Sequence, residues 1–249
     1  MNAATTDATS NDAHARSDEV LAVVIGRAGS RGLPRKNVLP VAGIPMIAHT
    51  IRFARATPEI ARTIVSTDGE EIAAAARAEG AEVVLRPADL AGDAATVDSA
   101  VRHAVEASGS RADIVVILYA NVPVRPADLA SRAIARLVAT GCDSVQSFYR
   151  VGKVHPWWMS RMDDEGRISQ FVENRVHRRQ DLPPLFMLDG GLIVVRRESL
   201  FTVREGEPHA FLGRDRRGVE TAEGEVVDVD GAVDLAMAEA ILATRGRPS

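Results

Sequence analysis

The stretch GRAGSRGLPRKN, Gly26 to Asn37, sets four cationic side chains, Arg27, Arg31, Arg35 and Lys36, among three glycines and a proline. Glycines let backbone approach a ligand closely and turn its amides toward an anion. Guanidinium and ammonium groups neutralise phosphate charge. Together they describe a site for a small polyanion, and a solvated basic turn is the competing reading. This is not a Walker loop, because no Gly-Lys-Ser/Thr follows, and the G-x-x-G-x-x-G spacing is not the dinucleotide fingerprint. Near the other end, VVDVDGAVDL places Asp228 and Asp230 two residues apart. On an extended chain such residues share a face. Two carboxylates on one face suit a hard cation such as Mg²⁺, which keeps waters and bridges substrate phosphates. Asp before Gly is equally ordinary turn chemistry, so a pair of solvated turn aspartates is the alternative.

These residues need a frame. VLAVVIG, ending at Gly26, is a short β-branched apolar run, the pattern of a strand buried on both faces. Strand-like runs recur at RTIVSTD, AEVVLR, ADIVVILYA and CDSVQSFYR, alternating with helical patterns such as PMIAHTIRFARA, GEEIAAAARAEG, TVDSAVRHAVEA and PADLASRAIARLVA. That alternation predicts an α/β fold with a mostly parallel, Rossmann-like sheet covered on both faces. The loop at Gly26 then sits at a strand's carboxyl end, where open α/β sheets bind ligands. After Arg150 the rhythm breaks into a segment holding both tryptophans, which predicts a hairpin-and-loop excursion over residues 151–190. Strands are expected again at GGLIVV and GEVVDVD. A final helix, VDLAMAEAILAT, spaces Val233, Met237 and Ile241 on one face.

Composition narrows the function. The 249 residues carry 46% hydrophobic side chains and a net charge of -4, so a core can form and no global positive field draws nucleic acid. The positive charge of the opening loop is therefore local. A single cysteine, Cys142, excludes an intrachain disulfide framework and fits a reducing, cytoplasmic setting. No apolar run approaches a membrane span. Residues 1–17 are polar, lack the apolar core of a secretory signal, and are expected to form a flexible tail ahead of a domain over residues 18–249. The six histidines are scattered without zinc-site spacing.

The pieces resemble the acylneuraminate cytidylyltransferases, the CMP-sialic acid synthetases, from about Val20 to Leu242. RAGSRGLPRKN looks like that family's signature loop, Arg-x-x-Ser-(Lys/Arg)-x-x-Pro-x-Lys-Asn. IVSTDGEEIA, VVLRPADLAGDAAT and VDVDGAVDLAMAEAIL resemble its second-strand turn, its nucleotide-contacting segment and its metal motif with the last helix. The resemblance implies a nucleotide-diphospho-sugar transferase type of fold and a homodimer built through the excursion. It implies transfer of CMP from CTP to the anomeric hydroxyl of a 2-keto sugar acid, with release of pyrophosphate. It further implies that Arg27, Gly29, Ser30, Arg31 and Lys36 meet the triphosphate. Asn37 and Arg86 would meet the ribose and cytosine, and Asp228 and Asp230 would hold Mg²⁺.

The acceptor half departs from the family pattern. Tyr119-Ala120-Asn121-Val122-Pro123 stands where the family has a Gln-Pro-Thr-Ser-Pro type of stretch. Met187-Leu188-Asp189-Gly190 replaces Arg-Pro-Asn-Gly, and Trp157-Trp158 follows His155-Pro156 where a lysine is expected. Arg179 keeps its place. Tyr119, Asn121, Arg179 and Asp189 are thus the expected acceptor contacts. Loss of a bidentate cation at Met187 points toward an acceptor other than N-acetylneuraminate. Transfer to another acceptor or from another NTP, and nucleotide binding without catalysis, are the remaining alternatives.

Overall fold

The computed structural model describes residues 19–29, 32–92 and 95–245. Ser30, Arg31 and the 1–17 tail lie outside them. In chain order the elements are β1 (Val20–Ile25), β2 (Pro40–Val41), β3 (Ile44–Pro45), α1 (Met46–Ala56), β4 (Ile60–Thr67), α2 (Glu70–Ala78), β5 (Glu82–Leu85), α3 (Val97–Ala107) and β6 (Ile114–Tyr119). There follow α4 (Leu129–Thr140), β7 (Ser144–Arg150), β8 (Ser160–Met162), β9 (Ile168–Gln170), β10 (Phe186–Arg196), α5 (Arg197–Leu200), β11 (Arg216–Thr221) and α6 (Ala232–Arg245).

Seven strands form one sheet in the order β11-β7-β10-β6-β1-β4-β5. All pairs are parallel except those of β10, which runs antiparallel to β6 and β7. The two-residue period of β1 explains the two-layer cover. Val20, Ala22 and Val24 pack with Ile47 and Ile51 of α1, Ile72 of α2 and Leu137 of α4. Leu21, Val23 and Ile25 pack on the other face with Val101 and Val105 of α3 and with Phe211. The chain leaves β1 toward β4 and returns on the other side as β6, so strand order reverses beside β1. Such a switch point opens a crevice at the carboxyl ends, and Gly26 and Tyr119 flank it, one following and one ending a paired strand.

The mostly parallel sheet matches the sequence reading; four details differ. The excursion runs from Val151 to Leu185 and holds the β8–β9 hairpin, while residues 186–190 already belong to β10. GEVVDVD is not a ladder strand. It is an extended stretch with a single bridge, Val124 to Val227, and Val229 N–H bonds to the Asn121 carbonyl. β11 has no apolar signature, because an edge strand carries charge outward: Arg217 pairs with Asp215 at 2.6 Å. Finally, α6 buries Leu235, Ala238, Ile241 and Leu242 against Val41, Met46, Val227 and Val229. Val233, expected on the packed face, is 83% exposed, and Met237 turns toward a cavity.

Candidate active site

The opening loop is folded onto itself before it meets any ligand. Gly26 N–H bonds to the Ser66 carbonyl at 3.1 Å, continuing the β1–β4 ladder. Buried Asn37 donates from its side-chain nitrogen to the Arg27 carbonyl at 2.9 Å, tying the loop's end to its start. Ala28 N–H bonds to Asp68 Oδ1 at 2.8 Å. A short 3₁₀ turn, Lys36–Val38, follows Arg35, whose left-handed backbone (φ 57°) turns the chain inward while its Nε pairs with Glu71 at 2.7 Å. Gly32 is required by contact: a Cβ there would lie 2.4 Å from the Asp230 carbonyl oxygen. The opening loop and the acidic motif therefore touch, although 198 positions separate Gly32 from Asp230 (230 − 32).

Between them lies a cavity of about 550 Å³. Arg27, Gly29, Lys36, Asn37, Arg86 and Asp230 all line it, as do Tyr119 and Asn121. Lys36 Nζ reaches Asp230 Oδ1 at 2.8 Å. Arg86 is held by the Ser66 hydroxyl at 3.0 Å and the Ser66 carbonyl at 2.8 Å. Burial lowers the pKa of Arg86 and nearby Asp68 opposes this; the charge of Arg27 pushes in the same direction as burial. Three cations thus converge on one concave space, the arrangement the sequence predicts for a polyanion.

A second cavity of about 660 Å³ adjoins the first. Its walls come from β7 (Gln146, Ser147, Tyr149), the start of β10 (Leu188, Asp189, Gly190), the end of β11 with its following turn (Thr221, Glu223), Asp228 and Met237. Tyr119 lines both cavities. Burial, then the charge of Asp228, pushes its phenol up. Asn121 Nδ2 donates to Asp228 Oδ1 at 2.5 Å and to the Val229 carbonyl at 3.2 Å. Tyr119, Asn121 and Asp228 therefore form the partition between the two spaces.

Asp228 and Asp230 alternate with buried Val227 and Val229 and both face outward, so the shared face expected of them holds without a sheet strand. Asp234, in the first turn of α6, accepts from the backbone N–H groups of Asp230 and Gly231 at 3.0 and 2.9 Å and fixes the motif. Desolvation, then the neighbouring charge of Asp230, pushes the Asp228 carboxyl up to about 6, against Lys36 and Arg125. Two hard oxygen donors that repel one another are a fitting pair for Mg²⁺. Among the described residues no group of three or more acidic, histidine or cysteine side chains could hold a metal alone. A cation here would take its remaining ligands from substrate and water.

The raised carboxyl has a measurable consequence. Asp228 holds its proton more tightly folded than unfolded, where its value is 3.8. Its contribution favours folding below that value and is lost as pH rises through about 6. Metal-free wild type should lose stability relative to Asp228→Asn between about pH 4 and 7. Thermal melts at several pH values in EDTA check this; parallel curves would contradict it.

The expected acceptor contacts fall in different places. Tyr119, Asn121 and Asp189 are at or beside the second cavity. Arg179 is exposed and lines neither cavity; it approaches Gly152, as does Glu223. Asp189 is engaged by its own framework. Oδ1 accepts from Ser147 Oγ at 2.5 Å and Gly191 N–H at 2.8 Å, and Oδ2 from Thr221 Oγ1 at 2.6 Å. These bonds close the irregularity in β10 between Leu188 and Ile193. Asp189→Ala should cost about 2–4 kcal/mol by stranding those donors. Denaturant unfolding measures it, and an unchanged midpoint would show the carboxylate is dispensable.

Sequence reasoning missed most of the second cavity and also Arg125, a buried cation behind the partition. The only sequence signal for Arg125 is a lone charge within VPVRPAD.

A family model for Cytidylyltransferase matches residues 21–156. The N-acylneuraminate cytidylyltransferase of Streptococcus agalactiae serotype III is 31% identical over 193 residues, covering 74% of this chain and 46% of that protein. The chain thus spans about half the length of such curated relatives. The CMP-N,N'-diacetyllegionaminic acid synthase of Legionella pneumophila is 28% identical over 90% of this chain and 96% of its own length. A CMP:2-keto-3-deoxy-manno-octonic acid synthetase solved with CTP superposes with a TM-score of 0.70 at 18% identity, covering 91% of this chain and 99% of that one, a likeness of fold. With the matched region running from β1 through the cationic loop and the partition strand, this chain belongs to the cytidylyltransferase family.

Proposed function

We propose that this chain transfers a cytidylyl group from CTP to the anomeric hydroxyl of a sialic-type 2-keto sugar acid, releasing pyrophosphate. The observation that carries this reading is the pair of adjoining cavities. One is lined by Arg27, Lys36 and Arg86, and it meets the other at Tyr119, Asn121 and Asp228. A triphosphate in the first would present its α-phosphorus at the partition, and a hydroxyl from the second would attack in line. The new bond joins that oxygen to phosphorus, and the bond to the β-phosphate breaks with its electron pair leaving on pyrophosphate. Arg27 and Lys36 would bind the charge that grows on the phosphates, in a site already organised around them. Arg86, fixed by Ser66, would orient the nucleoside end. Asp228 and Asp230 would hold Mg²⁺, which when bound offsets charge on the reacting phosphates.

A second reading concerns the acceptor. Asp189, Glu223 and Asp228 line the second cavity, and none of its described lining residues is Lys or Arg. That favours an acceptor that differs from N-acetylneuraminate in the charge or substituents it presents here. Pyrophosphate release, crossing four NTPs with a panel of 2-keto sugar acids, tests both readings. The expected result is turnover with CTP and at least one such acid. Pyrophosphate release with another NTP only, or none with any pair, overturns the reading.

A homodimer is part of this proposal. The excursion exposes a run of apolar side chains, Met162 (71%) and Ile168 (70%) on its hairpin and Phe171, Phe186 and Leu188 nearby. Such a patch suits an isologous contact. Light scattering is expected to give twice the chain mass, and a fully active monomer would refute this assignment. A cytoplasmic setting is likewise proposed, from the cysteine usage; no described helix is long and apolar enough to cross a membrane.

A further inference from the structure

Arg125 is 5% exposed, yet no carboxylate is hydrogen-bonded to it. Its partners are neutral oxygens. Nε donates to the Gly191 carbonyl at 2.6 Å, Nη1 to Thr50 Oγ1 at 2.9 Å and to the Val122 carbonyl, and Nη2 to the Tyr119 carbonyl at 3.0 Å. The Phe53 ring covers the guanidinium, 5.4 Å from its centroid. Thr50, wholly buried in α1, lies within 3.2 Å of the same Tyr119 and Val122 carbonyls. Burying a cation carries a desolvation cost of several kcal/mol, and a well-packed apolar replacement is often as stable or more so. Stability alone is therefore a poor reason for an arginine here. What an arginine supplies is a rigid planar fork that fixes several acceptors in one geometry.

The acceptors it fixes are informative. Tyr119 and Val122 lie on either side of Asn121, so their carbonyls set the segment that forms the partition and holds Asp228. Gly191 follows Asp189 and Gly190, at the irregularity of β10 that forms the second cavity. One side chain thus ties the wall of the nucleotide cavity to the wall of its neighbour, without lining either.

We propose that Arg125 is a positioning residue for the transfer reaction, its guanidinium holding the Tyr119–Val122 segment and the Gly190–Gly191 stretch of β10 in the register that aligns the two substrates. This inference rests on the proposed function. It makes a statement about alignment rather than about binding. CTP is gripped by the cationic loop and Arg86, which Arg125 does not touch, so CTP affinity should survive when alignment is lost.

The test compares wild type, Arg125→Lys and Thr50→Val. The readings are pyrophosphate release per folded protein, the CTP dissociation constant without acceptor, and the melting temperature. Arg125→Lys keeps the charge and loses the fork. Its kcat/KM for the acceptor should fall about 10²-fold, the usual cost of a misplaced reacting atom, with the CTP dissociation constant unchanged. A merely structural role would lower the melting temperature and leave turnover of the folded fraction intact, and that result overturns the inference. If Arg125→Lys does not fold, Thr50→Val carries the test. It removes one acceptor of the fork, and its kcat/KM should fall about tenfold at unchanged CTP affinity. Unaltered turnover in folded Arg125→Lys, or in Thr50→Val where Arg125→Lys does not fold, likewise overturns it, as does a CTP affinity that weakens in step with turnover. A wild type that releases no pyrophosphate with any acceptor overturns the proposed function and this inference with it. An active wild type with indifferent variants overturns this inference alone.

Discussion

Replacing Lys36 by alanine should lower kcat by about 10²–10³, the usual effect of removing one preorganised donor from a developing oxyanion. The structure gives two reasons. Lys36 rises from a 3₁₀ turn whose neighbour Asn37 is locked to Arg27, so its position is set before substrate arrives. Its ammonium is only partly exposed and reaches Asp230 at 2.8 Å, which places it where the acidic motif and the triphosphate would meet. The loss should appear in kcat more than in the acceptor KM, because the contact strengthens as charge moves onto the phosphates. Lys36→Arg should recover only part of the rate, since a planar fork does not replace a compact point charge. Steady-state and single-turnover pyrophosphate release distinguish the cases. A variant with raised KM for CTP and intact kcat would make Lys36 a ground-state binder only.

The double change Asp228→Ala with Asp230→Ala should remove activity by on the order of 10³ or more, matching the several kcal/mol of charge stabilisation that a divalent ion supplies. Both side chains face outward, while the buried Val227 and Val229 hold the segment in place, so the fold should survive. Equilibrium titration of Mg²⁺ into the CTP complex should show its binding weakened in the same variant, a reading independent of turnover. Excess EDTA should reproduce the kinetic loss in wild type. Full activity in EDTA, or in the double variant, would sink the metal assignment.

The nucleotide half of the site was legible in the sequence because it is nearly contiguous. Arg27, Gly29, Lys36 and Asn37 sit in one loop, and β1 announces itself as an unbroken apolar run. The second cavity was not legible as a unit. Its walls come from residues 146–149, 188–193 and 221–237, which only the antiparallel insertion of β10 brings together. β11 escaped because Arg216, Arg217 and Glu220 give an edge strand the look of a loop. Asp189 looked like a substrate contact because its partners, Ser147 and Thr221, lie 42 and 32 positions away. Arg125 could not have been singled out, since nothing in one charged letter tells a solvated face from a buried fork.

The antiparallel strand β10 also bears on how such a protein can change over time. Most of the nucleotide cavity is built before residue 122, and most of its neighbour after residue 145; Tyr119 lines both, and only Asp230 returns to the first from the far end. Substitutions at Tyr149, Leu188, Val226 or Met237 alter the second wall at positions that do not line the first. The two recognition problems are therefore inherited on largely separate stretches of chain. Divergence can explore new acceptors while the donor side stays under constraint, and a laboratory library confined to those four positions would sample acceptor choice without spending variants on the nucleotide.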